Sequence, residues 1–332
     1  MKKNWIIGIF LLCCSLPLYV QAQALPGTIE VWGEYLFLKP SLDGSFFGLV
    51  QETPNANFSD GGNINRLNNP FDFTSGFRIG SQYNFCNNNN AVRADFTYLS
   101  TKAHRASSSE GAVAPVDEFL PSGSLFPGNI ESHLDLRYYA VDLLFSHPLL
   151  ECSLPILSLE FGAQFMHLSS RRDVFSITPD PEFPFIIAPE SKNSTWALGP
   201  QLGIDLSYPL SICHLPQGIN FLAKTYGGLL YGRTHTRFNE SRFIFIPPTQ
   251  NINVNNEEHY RFIPFGKIRL GLEYCNPFCC RLPFNIEIGY EFLLYSRAVD
   301  WLHFTGDFSG PSVDNYGDFS LQGPYARLTF IF

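Results

Sequence analysis

The feature that most constrains this chain is an apolar residue at every second position, sustained over segments too long for an ordinary soluble sheet. From Trp196, one parity carries Trp196, Leu198, Pro200, Leu202, Ile204, Leu206 and Tyr208, and the other Ala197, Gly199, Gln201, Gly203, Asp205 and Ser207. A period of two is strand periodicity, and it gives the two faces opposite solvents. Phe284, Ile286, Ile288, Tyr290, Phe292 and Leu294 stand against Asn285, Glu287, Gly289, Glu291, Leu293 and Tyr295. Leu157 to Phe165, Ile268 to Tyr274 and Val92 to Tyr98 repeat the split, as do segments near 29–38, 76–85, 218–233 and 324–332. Residues 134–146 fit when Tyr139, Val141, Leu143 and Phe145 form the apolar face.

A soluble β-sandwich also alternates. Its strands usually run about five or six residues, whereas these run nine to sixteen, the reach of a tilted strand crossing a bilayer. Outside the N-terminal segment there is no apolar run of about 18 residues, so a spanning helix is excluded. Any crossing must be made by strands.

The connections fall into two alternating classes. Short links lie around 86–91, 147–155, 209–217 and 275–283, and long polar links around 39–72, 101–132, 169–193, 234–259 and 298–323. Short turns on one side and long loops on the other predict a transmembrane antiparallel up-and-down β-barrel with short periplasmic turns and long extracellular loops. The count is about ten strands, with twelve if Arg242–Ile246 or Val299–Phe304 also crosses. The expected location is the outer membrane of a Gram-negative bacterium, with its lipid as the surrounding partner.

Lys2 and Lys3 precede an apolar run ending near Val20, followed by small-residue sites at Ala22 and Ala24. This reads as a signal peptide over residues 1–22, cleaved after Ala22 or Ala24, leaving residues 23–332 as one barrel. Loss of both lysines takes the formal charge from −8 to −10, which argues against nucleic-acid binding.

One parity of the strands gathers the charges. The expected inward, pore-lining set is Glu30, Glu34, Arg78, Arg93, Asp95, Asp142, Glu160, Asp205, Lys224, Lys267, Arg269, Glu273, Glu287, Glu291, Arg297 and Arg327. An Arg or Lys facing mid-bilayer lipid costs about 2–4 kcal/mol, so a shared inward face is the favourable placement. These charges either line a conducting pore or pair with one another in a filled interior, because barrels of about eight strands are filled by side chains and those of 16–18 leave a channel.

Six cysteines remain after cleavage: Cys86, Cys152, Cys213, Cys275, Cys279 and Cys280. All sit in the short links, and in an oxidising compartment they are disulfide candidates of unassigned pairing, with each other or with periplasmic partners. The 275–280 cluster lacks regular zinc-ligand spacing, and nothing in the sequence calls for a metal or a cofactor. No HExxH or GxSxG motif occurs, and His133 with Asp135, or His167 with Asp173, imitate the acid–histidine pairs of a catalytic rim. The chain reads as a non-enzyme.

The C-terminal strand places Ala326, Leu328, Phe330 and Phe332 on one face and Tyr325, Arg327, Thr329 and Ile331 on the other. Leu328, Phe330 and the terminal Phe332 resemble the signal by which the barrel-assembly machinery recognises bacterial outer-membrane proteins, which makes that machinery an implied partner. Together with Trp32-Gly33-Glu34-Tyr35-Leu36-Phe37-Leu38-Lys39-Pro40 and Arg137-Tyr138-Tyr139-Ala140-Val141-Asp142, this strand gives a chain that resembles the major-outer-membrane-protein-like porins of Legionella and chlamydia-related bacteria. The resemblance implies a pore-forming barrel, a porin passing ions or small hydrophilic solutes by passive diffusion. It also implies cysteines that cross-link envelope proteins. The alternative is a non-conducting structural or adhesin-like barrel tied to the envelope by those cysteines.

Overall fold

The structure, a computed structural model, describes residues 27–51, 64–86, 90–115, 126–150, 156–178, 185–210, 219–244, 250–255, 258–276, 284–304 and 312–332. The signal segment lies outside them. The described elements are all strands: β1 (Thr28–Leu42), β2 (Phe46–Gln51), β3 (Ile64–Asn68), β4 (Thr74–Asn84), β5 (Ala91–Pro115), β6 (Phe126–Leu150), β7 (Ile156–Thr178), β8 (Phe185–Pro209), β9 (Ile219–Ile244), β10 (Gln250–Asn255), β11 (His259–Asn276), β12 (Phe284–Phe304) and β13 (Ser312–Ile331).

Ten of these pair antiparallel into a ring: β1, β4, β5, β6, β7, β8, β9, β11, β12, β13 and back to β1. Closure is made by the first and last strands, since Phe332 donates its backbone N–H to Ile29 O at 2.8 Å and Ile29 returns the bond at 3.1 Å. A closed ring leaves no unpaired edge, which is what a sheet surrounded by hydrocarbon requires. The short strands β2, β3 and β10 attach beyond the ring, to β5, to one another and to β9.

The expected alternation sets which face is wet. The Trp196–Tyr208 row stays on the outside with nothing packed over it, Leu202 being 63% exposed. Val141, Leu143, Ile268, Leu270, Ile288, Tyr290, Leu328 and Phe330 are likewise outward, so residues 134–146 take the parity the sequence implied. An aromatic line crosses six neighbouring strands of this outer face in register, Tyr35, Phe77, Tyr98, Tyr139, His167 and Trp196, with Tyr139 and His167 stacked at 4.6 Å between ring centres. Beyond it on β5 and β6 the outward residues turn polar, to Ser100, Lys102 and His104 and to Arg137, Asp135 and His133. That change marks the edge of the hydrocarbon on those strands.

The long links differ from the expectation. Much of what the sequence suggested as loop is continued strand: β5 runs to Pro115 and β6 starts at Phe126. Arg242–Ile244 and Val299–Phe304 are extensions of β9 and β12 rather than further crossings, so the ring holds ten strands. The physical reason is that paired strands satisfy their own backbone groups in water as well as in lipid, so a hairpin continues past the membrane without an apolar outer face.

An arginine at Leu202, in the middle of the outer row, is expected to lower barrel stability by about 2–4 kcal/mol, while Ser100→Arg beyond the aromatic line costs about 0–1 kcal/mol. Denaturant unfolding in lipid vesicles measures both.

Candidate functional site

Strand register brings the inward charges into lines. Glu287, Arg327, Glu34 and Arg78 are successive cross-strand partners on β12, β13, β1 and β4. Asp205, Lys224, Arg269 and Glu291 form a second line on β8, β9, β11 and β12. Neighbours of opposite sign on one face of a sheet attract, and here the side chains also reach across the interior.

Arg78 donates to Glu34 at 2.5 Å and to both oxygens of Glu291 at 2.8 and 2.9 Å. Glu34 also accepts from Arg269 at 2.8 Å and from Arg327 Nε at 2.9 Å. Arg327 pairs with Glu287 at 3.3 Å, and Tyr325 donates its hydroxyl to the same carboxylate at 2.6 Å. The Arg269 guanidinium lies 4.1 Å from the Tyr325 ring centre. A second group surrounds Arg93, which pairs with Asp95 at 3.0 Å and Glu160 at 3.2 Å and donates to Tyr226 Oη at 2.9 Å, while Trp32 Nε1 donates to Asp95. Lys267 lies 3.6 Å from Asp142, which accepts from Gln164 at 2.7 Å. A charge taken from water needs a partner and hydrogen bonds to be tolerated; the guanidinium and carboxylate groups here have both, and Lys267 has its partner Asp142 and the Tyr226 ring 5.7 Å away.

Eleven of the expected interior residues are therefore buried together: Glu34, Arg78, Arg93, Asp95, Asp142, Glu160, Lys267, Arg269, Glu287, Glu291 and Arg327. Four lie half-buried nearer the short-turn end: Glu30, bonded by Asn84; the pair Asp205 and Lys224 at 2.7 Å; and Glu273, bonded by Asn220 and Asn285. Arg297 is the exception. The β12–β13 register shifts between Tyr295 and Val299, and Arg297 there has a φ of 58°. Ser296 Oγ and the Arg297 N–H both donate to Asp318, and the bulge turns the Arg297 side chain out to solvent.

Above the charged layer the same inward parity becomes apolar. Leu36, Leu38, Leu99, Leu134, Leu136, Leu168, Leu293, Phe319 and Leu321 fill the cross-section. Through their midst Tyr138 and Tyr295 share a hydrogen bond of 2.9 Å between their hydroxyls, and Tyr295 also donates to Gln164 at 3.2 Å. β6 and β12 stand five steps apart in the ring of ten, so this contact spans the full diameter. The inner face is therefore not polar along its whole length: ten strands enclose so little space that the upper interior packs as a protein core. Glycines make room for the larger side chains, since a Cβ at Gly289 would lie 2.6 Å from the Tyr325 hydroxyl. Trp32, Gln164, Tyr138, Tyr226, Tyr295 and Tyr325 are the interior residues that reading charge alone misses, although each shares parity with a charge on its own strand.

The rim pairs imagined from sequence do not form. His133 bonds to Glu131 and Asp135 to Lys102, while His167 lies 3.2 Å from Ser194 Oγ and Asp173 binds Arg171. Cys86 is exposed in the turn after β4, and the side chains of Cys152, Cys213, Cys275, Cys279 and Cys280 lie outside the described residues.

The family described as Legionella pneumophila major outer membrane protein precursor matches residues 26–332. The chain belongs to this family. That membership, with the lipid-facing ring, places it in the outer membrane of a Gram-negative bacterium. No curated protein sequence matches it. Among solved structures, the outer membrane protease OmpT from Escherichia coli is similar at 11% identity and a TM-score of 0.48, covering 93% of this chain and 99% of that one. The Pseudomonas putida toluene transporter TodX is similar at 8% identity and a TM-score of 0.22, covering 93% and 90%. A Pseudomonas aeruginosa FadL homologue is similar at 8% identity and 0.26, covering 92% and 90%. At these scores the likenesses carry no argument about activity.

Arg269→Ala strips a partner from Glu34, Glu287 and Glu291 at once. Arg78 and Arg327 still reach all three, but two guanidinium groups then face three buried carboxylates, and the uncompensated charge is expected to cost about 3–5 kcal/mol, read as a lowered urea midpoint. Raising salt to about 1 M leaves the wild-type midpoint nearly unchanged, because buried pairs are screened far less than exposed ones.

Proposed function

We propose that this barrel is a closed, non-conducting and non-catalytic structural element of the outer membrane that holds extended hairpins at the cell surface. The observation that carries this reading is the Tyr138–Tyr295 hydrogen bond across the whole diameter, set in an apolar layer whose members are almost without solvent contact. Water-filled channels belong to barrels wide enough to keep opposite walls apart. Below that layer a second barrier consists of carboxylates and guanidinium groups bonded to one another, with few sites left for a passing ion.

Passive diffusion of ions or small hydrophilic solutes is the second reading, and one observation favours it. The seal consists of side chains alone among the described residues, and the half-buried Glu30, Asp205, Lys224 and Glu273 give the short-turn end a hydrophilic vestibule. Rotation of a few side chains, with no withdrawal of a chain segment, would join that vestibule to the opposite side. The exposed Cys86 supports attachment to periplasmic envelope partners through disulfides under either reading.

Planar bilayers separate the two. The refolded wild-type barrel is expected to give no stable current steps. Stepwise currents from the wild type overturn the closed reading and establish diffusion. Envelope attachment predicts high-mass species on non-reducing gels that collapse with reductant. Hydrolysis of a peptide or phospholipid substrate that disappears on His133→Ala or His167→Ala would overturn the non-catalytic assignment.

A further inference from the structure

Three side chains on the outer wall converge where neither the lumen nor the lipid accounts for them. His104 on β5 and His133 on β6 are direct cross-strand partners, and Glu131 lies two residues from His133 on the same face. His104 Nε2 lies 2.8 Å and His133 Nε2 2.9 Å from the same oxygen, Glu131 Oε1. The imidazoles stack at 4.4 Å between ring centres, 21° from parallel.

We infer that His104, His133 and Glu131 form a binding site for a divalent transition-metal ion, of which zinc is the representative. Two imidazole nitrogens and one carboxylate are a ligand set that zinc accepts with a fourth position left to water. The three ligand atoms all lie within 4.8 Å of one another, while tetrahedral zinc with bonds of 2.0–2.1 Å needs its ligand atoms about 3.3 Å apart. Exposed side chains cover that difference by small rotations. The backbone beneath does not need to move, because β5 and β6 pair continuously from Ala91↔Ser146 to Ser109↔Gly128. Binding replaces the hydrogen bonds to Glu131 by metal bonds: the proton each Nε2 donates passes to solvent water, and water supplies a proton to any Nδ1 that lacks one, so each ring binds as a neutral imidazole with its proton on Nδ1.

The surroundings neither fill nor block the position. Lys102 is engaged by Asp135 on the hydrocarbon side, and Asp173, the β7 partner of His133, is engaged by Arg171. His104 lies six residues beyond Tyr98, roughly 20 Å along the strand at about 3.3 Å per residue, so the fourth position faces water rather than acyl chains.

The test uses the refolded full barrel in detergent micelles, its cysteines alkylated so that thiolates cannot compete, and its metals removed by a chelator. Titration calorimetry with zinc chloride is expected to show one saturable site per chain, at least tenfold weaker in His104→Ala, His133→Ala and Glu131→Gln and unchanged in His235→Ala. Zinc-edge X-ray absorption of the unmutated chain provides a readout independent of variant folding, with histidine nitrogens expected at about 2.0–2.1 Å. Absence of saturable binding, affinity that survives either histidine substitution, or a zinc shell without histidine scattering each overturns the assignment.

Discussion

Everything in this fold depends on keeping backbone hydrogen bonds satisfied where no water can reach them. A strand in hydrocarbon has two neighbours or it carries a row of unmet donors and acceptors, each costing several kcal/mol. The ring of ten meets that demand only because its first and last strands pair, and the exchange between Ile29 and Phe332 completes the circle. The outward row has to be apolar and the inward row has to share whatever space the circle leaves. Parity, closure and interior composition are thus one constraint seen three times.

The circle is small, and that decides what the interior becomes. Side chains from opposite walls meet, so an inward charge finds either another charge or a Leu. The sequence separates these outcomes by height: Glu34 is followed on its face by Leu36 and Leu38, Glu291 by Leu293 and Tyr295, Arg327 is preceded by Tyr325, Gly323 and Leu321. One end of the lumen is therefore an ion-pair lattice and the other a hydrophobic core. A buried ion-pair lattice adds little net stability over a well-packed apolar one. It is better understood as fixing register, since a slip of one residue in β1 would turn Glu34 outward into lipid and take a partner from Arg78, Arg269 and Arg327 at once.

Much of this was legible in the linear order of residues. Alternation through Trp196–Tyr208 and Phe284–Leu294 identified the lipid-facing parity, and alternation up to Phe332 did the same for the last strand. Eleven of the sixteen expected interior charges are buried together because parity alone assigns them. What parity cannot report is which strand faces which across the lumen, so the Tyr138–Tyr295 contact and the Arg78–Glu291 pair had no linear signal. Arg297 escaped for a related reason: a bulge adds a residue to one strand, and the count of two fails beyond it. The long links were read as loops because their polar outer face looked like solvent-exposed coil, and strand pairing in water leaves the same composition.

The histidine pair shows the same limit from the other side. His104 and His133 are separated by 29 positions, so no spacing rule for metal ligands finds them, and His133 has the more obvious acidic neighbour Asp135 two residues away. Cross-strand register joins residues that sum to a constant, here 104 and 133, just as it joins Tyr98 to Tyr139 and Ala91 to Ser146. Once one hairpin register is known, every outward pair of that hairpin is known, and the ligand set follows by arithmetic. A barrel of this kind writes its interior with charge and its membrane face with alternation, but its surface chemistry is written only in register.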